Sequence, residues 1–403
     1  MSTITPPPNT STLHLLSLPP KSHVGIDLSS FTSTADFAGI KLLPPGLHHV
    51  WASPFPSLTL RTSTWLHCTP GSTHTLQYDP ATETLQVADA APPLAPQLWT
   101  HALTAYRQRD PASHTETPSP AAWEALTAHV TPALLSALLG APWAADTTTP
   151  GAEDADADGA ARLAFTPVDL KRTWPATAVG RERTEMARDR SWALGEARRA
   201  QPHGLLGELE VAFVTCYFLG NYAAAAQWRT LAALALTCRQ AALSAELEGF
   251  FVEFLGALRL QLEVLDGGDE GGFLGQEAMD EVLKLLRGFA RMLREEEEEA
   301  AAEGEDAAGG EVRKALGELA GWAGKKLDWA IDTREVLRRG TIMTEEGDMV
   351  EVEDEGLEEE EEKGEYAPAV VDMLDEDDMV SSRSESPPLV IQLADEDDDD
   401  PRY

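Results

Sequence analysis

Between residues 13 and 87 the apolar positions fall in short runs rich in Thr, Val, Leu and aromatics, each cut by Pro, Gly or Asp. That punctuation predicts small antiparallel strands rather than helices. Strands are expected at 24–28 and 39–43, and Pro44, Pro45 and Gly46 predict a type II turn that sends 48–52 back along its neighbour. The stretch "TWLHCTPGSTHTLQYDPATETLQV" continues with strand, turn and strand. The region therefore reads as an antiparallel meander or a sandwich-like pair of sheets.

After "APPLAP" the period changes. Residues 98–109 and 121–139 carry helical spacing, and Trp123, Leu126, Val130, Leu134, Leu135 and Leu138 share one side, with Pro132 as an interruption. Residues 140–160 are small, acidic and aperiodic, as a linker would be. From Phe165 the pattern is helical. In "GLLGELEVAFVTCYFLG" a stripe of Leu205, Leu209, Phe213, Cys216 and Leu219 ends at Gly220 and Asn221, a sound helix stop. "NYAAAAQWRTLAALALTCRQAA" and "LSAELEGFFVEFLGALRLQLEVL" follow after short connections, which predicts antiparallel neighbours in a bundle. Phe213 and Trp228 are its expected buried anchors, with the outer rim of the hairpin left to dock a partner. Two further helices are expected at 273–294 and 312–330, separated by an acidic insertion near 295–310 that should be mobile.

The fold class expected is α+β. A β-rich domain with trailing helices occupies 10–140, a linker 141–164, a helical bundle 165–335 and an acidic tail 341–403.

Charge sharpens this picture. The chain carries 31 Lys and Arg against 68 Asp and Glu, a net charge of −37, which repels phosphate backbones and anionic lipid and favours a protein partner. Beyond Gly340 there are 25 acidic residues and only three basic ones, too little apolar content to offset ordering entropy, so the tail should be disordered alone. Two apolar islands interrupt it, "YAPAVVDML" and "PPLVIQL". In the first, Tyr366, Ala367, Pro368, Val370 and Val371 predict a recognition strand at 366–374. Pro368 removes a ladder donor and confines it to a sheet edge, where a partner's sheet would complete it. Cys68, Cys216 and Cys238 are widely spaced with no CxxC, which argues against a disulfide framework or a zinc knuckle and for a reducing compartment. No basic leader and no long uninterrupted apolar run is present, so neither secretion nor a membrane span is expected.

Candidate chemistry is sparse. Phosphate-loop, dinucleotide, zinc-protease and nucleophile-elbow signatures are absent. His48 and His49 beside Asp27 are the one acid–base or metal temptation, and a hydrolase using His48 is the alternative they raise. Adjacent strand residues point to opposite faces, however, so both cannot easily serve one site. No cofactor is expected. "LGNYAAAAQWRTLAALA" resembles half of a tetratricopeptide unit, but no second copy follows. Lys171, Arg172, Arg181, Arg183, Arg188, Arg190, Arg198 and Arg199 form the one basic concentration, either a solvated helix face or a surface for an acidic partner. Ser382 and Ser386 in "SSRSESPP" are candidate phosphorylation sites.

"GIDLSSF", "FAGIKLLPPGLHHV", "LLGELEVAFVTCYFLGNYAAAAQWRTLAALAL" and the tail island "YAPAVVDML", in that order, resemble the A1 cistron-splicing factor family. The resemblance implies an assembly factor of the U5 small nuclear ribonucleoprotein without catalysis, working in cytoplasm and nucleus as a monomer. Its partner would be the large U5 scaffold protein, bound at the C-terminal RNase H-like and MPN-like domains. Binding there would hold off the spliceosomal helicase until release, which the family links to phosphorylation. On that reading Gly25, Asp27, Gly39, Pro45 and Gly46 serve shape, as the turn chemistry already favours. The competing binding role is an acidic-tail chaperone or decoy for a basic protein.

Overall fold

The computed structural model describes residues 9–55, 60–88, 99, 101–106, 120–152, 162–187, 189–267, 274–304, 307–331, 339–343 and 349–353. Ten strands of its N-terminal half form two five-stranded sheets. The first runs β8 (Thr84–Val87), β7 (Thr73–Asp79), β1 (Ser11–Leu16), β4 (Gly39–Leu43) and β9 (Leu103–Ala105). The second runs β10 (Ala144–Asp146), β6 (Thr62–Cys68), β5 (Gly46–Ser53), β2 (His23–Ile26) and β3 (Ser29–Thr32).

Strand existence follows the alternation, but the connectivity is not a simple meander. β1 pairs parallel with β7, and β4 pairs parallel with β9. β4 and β5, expected to fold back on each other, lie in different sheets. Prolines at 44 and 45 have no N–H for a ladder, so the chain turns a corner between layers there instead of closing a hairpin. The helix expected at 98–109 is overturned as well: Leu103, Thr104 and Ala105 add to the edge of β4, where pairing overrides local periodicity.

Between the sheets lies a core of Leu13, Leu15, Ile40, Leu43 and Leu76 from one layer and Val24, Ile26, Val50, Ala52 and Leu66 from the other. The second sheet is covered on both faces. Its far side presents Trp51 and Trp65 to a larger core shared with the helices.

Residues 121–139 form two helices, not one. α1 is Pro120–Leu126 and α2 is Pro132–Leu139. Pro132 starts α2 rather than kinking a longer helix, because a first-turn proline has no N–H to satisfy and the Thr131 hydroxyl accepts from the Leu134 amide. The bundle comprises α3 (Arg181–Ala187), α4 (Ser191–Ala200), α5 (Leu205–Leu219), α6 (Tyr222–Leu236), α7 (Arg239–Leu243), α8 (Glu248–Gly267), α9 (Gln276–Glu303) and α10 (Gly310–Lys326). α5 is buried almost all round, as a helix apolar on every side must be.

Two acidic segments carry regular structure. Residues 295–303 continue α9 as helix, since Glu and Ala are strong helix formers and Arg239 pairs with Glu296 and Glu299. At the start of the acidic tail, β11 (Arg339–Met343) and β12 (Met349–Glu353) pair as an antiparallel hairpin. Among the described residues no helix is long and apolar enough to cross a membrane.

Candidate functional site at the sheet–helix junction

The alternation of β5 builds the junction. His48, Val50 and Ala52 turn into the sandwich, while His49 and Trp51 turn towards the helices. Trp51 lies directly across its strand partner Gly25, where any Cβ would overlap the indole. On Trp51 the Arg61 guanidinium stacks 4.6 Å from the ring centroid, and its Nη1 donates to the Phe218 carbonyl at 2.7 Å. His49 sits between Trp65 at 5.1 Å and Phe218 at 5.5 Å. Among the described residues neither of its ring nitrogens has a hydrogen-bond partner, and burial pulls its pKa down to about 3. It acts as a neutral aromatic plug.

The turn between α5 and α6 clamps the other side. Gly220 closes α5 in the left-handed conformation. Asn221 accepts from the Ala224 amide at 2.9 Å to cap α6, and its Nδ2 donates to the carbonyls of Asp146 at 3.0 Å and Thr149 at 2.8 Å. Thr147 donates to the Leu219 carbonyl at 2.8 Å. The first part of the expected linker is thus tied into the fold, with β10 paired to β6. Phe213 and Trp228 are fully enclosed, 6.1 Å apart, and the Trp228 Nε1 donates to Gln261 on α8 at 2.7 Å.

Two carboxylates that the periodicity did not flag hold the helical side. Glu210 bonds His129 Nδ1 at 2.6 Å and accepts its amide at 2.8 Å, across the α1–α2 loop. That hydrogen bond raises the His129 pKa in spite of partial burial. Glu208, also fully buried, accepts from the Thr166 amide and hydroxyl, Gln201 and Gln227. The available signal was the residue type: two glutamates two apart inside an otherwise apolar helix must be buried and therefore paired.

The Asp27 and His48 pair exists, but as a brace. Asp27 has a left-handed backbone (φ 52°) in the β2–β3 turn. Its Oδ2 bonds His48 Nδ1 at 2.7 Å and accepts from the Tyr106 hydroxyl at 2.6 Å, and its Oδ1 accepts the His49 amide at 3.0 Å. His48 Nε2 meets the Pro44 carbonyl at 2.9 Å. With acceptors at both nitrogens the ring is held as a donor on each side. Burial alone would lower its pKa, but Asp27 and the Pro44 carbonyl outweigh that and raise it. Both nitrogens are engaged, so neither is free to take a proton from a substrate in the cleft of about 230 Å³ that Pro44, Pro45, Tyr106 and Trp123 line beside it.

Gly39 opens β4 and Pro45 precedes β5 at the corner. Gly46 has φ +137° with open space around it, so Gly46→Val should lower unfolding free energy by about 1–3 kcal/mol through backbone strain alone. Urea denaturation checks this, and an unchanged midpoint would remove the strain argument. Cys68, Cys216 and Cys238 are buried and free, and burial pushes the first two thiols up to about 12 and the third higher as well. Among the described residues no group of three or more His, Cys, Asp or Glu is placed to hold a metal. Tyr366, Ala367, Pro368, Val370, Val371, Ser382 and Ser386 lie outside the described residues.

The histidines set opposite pH limbs. His49 is neutral when folded and protonates near its ordinary value of 6.5 when unfolded, so stability falls as pH drops from about 6.5 towards 3. His48 and His129 have raised folded values, so their contribution is complete below about 6.5 and lost as pH climbs through those values. His49→Phe should flatten the acid limb and spare the alkaline one in urea titrations across pH. An acid limb of undiminished slope would show that His49 does not set it.

These contacts define a protein whose sandwich and bundle are fastened into a platform through one shared core. A sequence model of the AAR2 N-terminal domain matches residues 9–140, and one of the AAR2 C-terminal repeat region matches 165–332. The "Protein AAR2 homolog" of Oryctolagus cuniculus is 26% identical over 275 residues, covering 62% of this chain and 72% of that protein. The chain belongs to the AAR2, or A1 cistron-splicing factor, family. Membership makes it a splicing-related U5 snRNP assembly factor that works with protein partners of that particle.

Proposed function

We propose that this chain is a non-catalytic assembly chaperone that binds the large U5 scaffold protein at its C-terminal RNase H-like and MPN-like domains. Bound there, it keeps the spliceosomal helicase away until maturation, in cytoplasm and then nucleus. The observation that carries this reading is the junction itself. The two family-matched regions share a core and hold each other through Arg61 to Phe218 and His129 to Glu210, while Asn221 ties the intervening 146–149 to the bundle, which suits a composite platform for a large partner. The island at 366–374 adds a strand to the partner's sheet edge, with flanking acids steering the approach. Phosphorylation at Ser382 or Ser386 adds charge to an already negative segment and promotes release.

Deleting 365–374 should weaken binding to the scaffold's C-terminal domains while leaving thermal unfolding of the folded part unchanged. Calorimetry at two salt concentrations is the measurement, and equal affinity for both chains would sink the strand. Binding retained by residues 341–403 alone would favour the acidic decoy instead.

A further inference from the structure

The basic concentration at 171–199 is not absorbed by the platform, and its members do different work. Arg190 is partly buried and donates through Nε to the Leu170 carbonyl at 3.0 Å. Arg199 pairs with Glu196 at 2.6 Å. Arg172 and Arg183 differ. The first lies 6.0 Å over Trp192, at the start of α4, and the second 4.5 Å over Trp174, in the loop that leads to α3. Both are exposed, and neither makes an ion pair among the described residues. A guanidinium held over an indole still has N–H groups that the ring does not engage, and a guanidinium can take a carboxylate in two parallel hydrogen bonds. Val179, between the two arginines in sequence, is 73% exposed and offers apolar contact.

We infer that the face formed by Arg172 on Trp192 and Arg183 on Trp174 docks a short acidic segment of a protein partner, separately from the binding strand in the tail. Charge complementarity selects the occupant. In a chain of net charge −37 this stretch concentrates basic residues, and basic residues attract carboxylates. A nucleic-acid backbone fits less well, because Glu182 lies between Arg181 and Arg183 and Asp169 precedes Lys171, which breaks any continuous track for phosphates. Beyond a few nucleotides such a strand would also meet the acidic remainder of the chain.

The test is fluorescence anisotropy with the full chain and a short fluorescein-labelled Asp/Glu peptide carrying one leucine. R172E/R183E should weaken binding by about tenfold or more, the loss of roughly one charge-assisted pair. The charge-matched control R259E/K314E should leave it unchanged, and R172Q/R183Q gives the same reading with a milder change should charge reversal disturb folding. Binding should also weaken as salt rises. Equal peptide affinity for the two arginine variants and the unaltered chain overturns the proposal. So does tighter binding of an oligouridine than of the peptide, which assigns the face to nucleic acid. Carbodiimide coupling of Lys171 to residues 354–403 of the same chain also overturns it, since the occupant is then the protein's own tail.

Discussion

Phe213→Ala is expected to lower the free energy of unfolding by about 3–5 kcal/mol, the range for truncating a core aromatic. Phe213 is 0% exposed, stacks on Tyr217 at 5.7 Å and lies 6.1 Å from Trp228. The size of the effect depends on how well the site can collapse, and here it cannot. α5 is enclosed by neighbours on nearly every side, and its two ends are fixed by Glu208 near the start and the Gly220–Asn221 clamp at the finish. Phe213→Leu, which keeps most of the volume, should cost less than about 1.5 kcal/mol. Circular dichroism during urea unfolding reads both. Coincident curves for Phe213→Ala and the unaltered protein would place the ring at the surface and turn it from a packing anchor into an interface residue.

Legibility in the sequence tracked the range of the interaction. The Gly220–Asn221 stop, the α5 stripe and strands near 24–28, 39–43 and 48–52 are written in local chemistry, although the first ends at Ile26, where Asp27 enters a left-handed turn, and the third extends to 46–53. The opposite faces of His48 and His49 follow from strand alternation alone. What could not be read was pairing at a distance. β4 looks identical whether it turns back on β5 or lies beside β1 and β9, and only the packing of two sheets decides. Leu103 to Ala105 became strand for the same reason. The acidic run at 295–303 reads as solvated by composition, while its helix propensity and the facing Arg239 are what continue α9 through it. At the site, Gly25 was legible as a shape residue, but the reason, the Trp51 indole lying over it, exists only across the β2–β5 register.

Glu208→Ala is expected to be as damaging as losing Phe213, for a reason burial scales do not contain. Glu208 is 0% exposed, yet its carboxylate collects four donors: the Thr166 amide at 2.7 Å, the Thr166 hydroxyl at 2.6 Å, Gln201 Nε2 at 2.6 Å and Gln227 Nε2 at 2.7 Å. An ionised carboxylate has about four acceptor sites, so the set is complete. Removing it leaves buried donors without partners, each carrying a desolvation penalty of about 1–3 kcal/mol, partly relieved where a glutamine can turn elsewhere. A net loss of about 3–5 kcal/mol follows from several such donors left unpaired together. Glu208→Gln is the discriminating variant. It keeps the volume, but its amide NH₂ would face donors where an oxygen now accepts, so it should recover little of the loss. If the carboxylate served only to fill space, Glu208→Gln would be close to neutral. A double-mutant cycle with Thr166→Ala completes the test: the Thr166 hydroxyl should lose most of its contribution once Glu208 is alanine, and strictly additive effects would mean that the network does not hold Thr166 against α5.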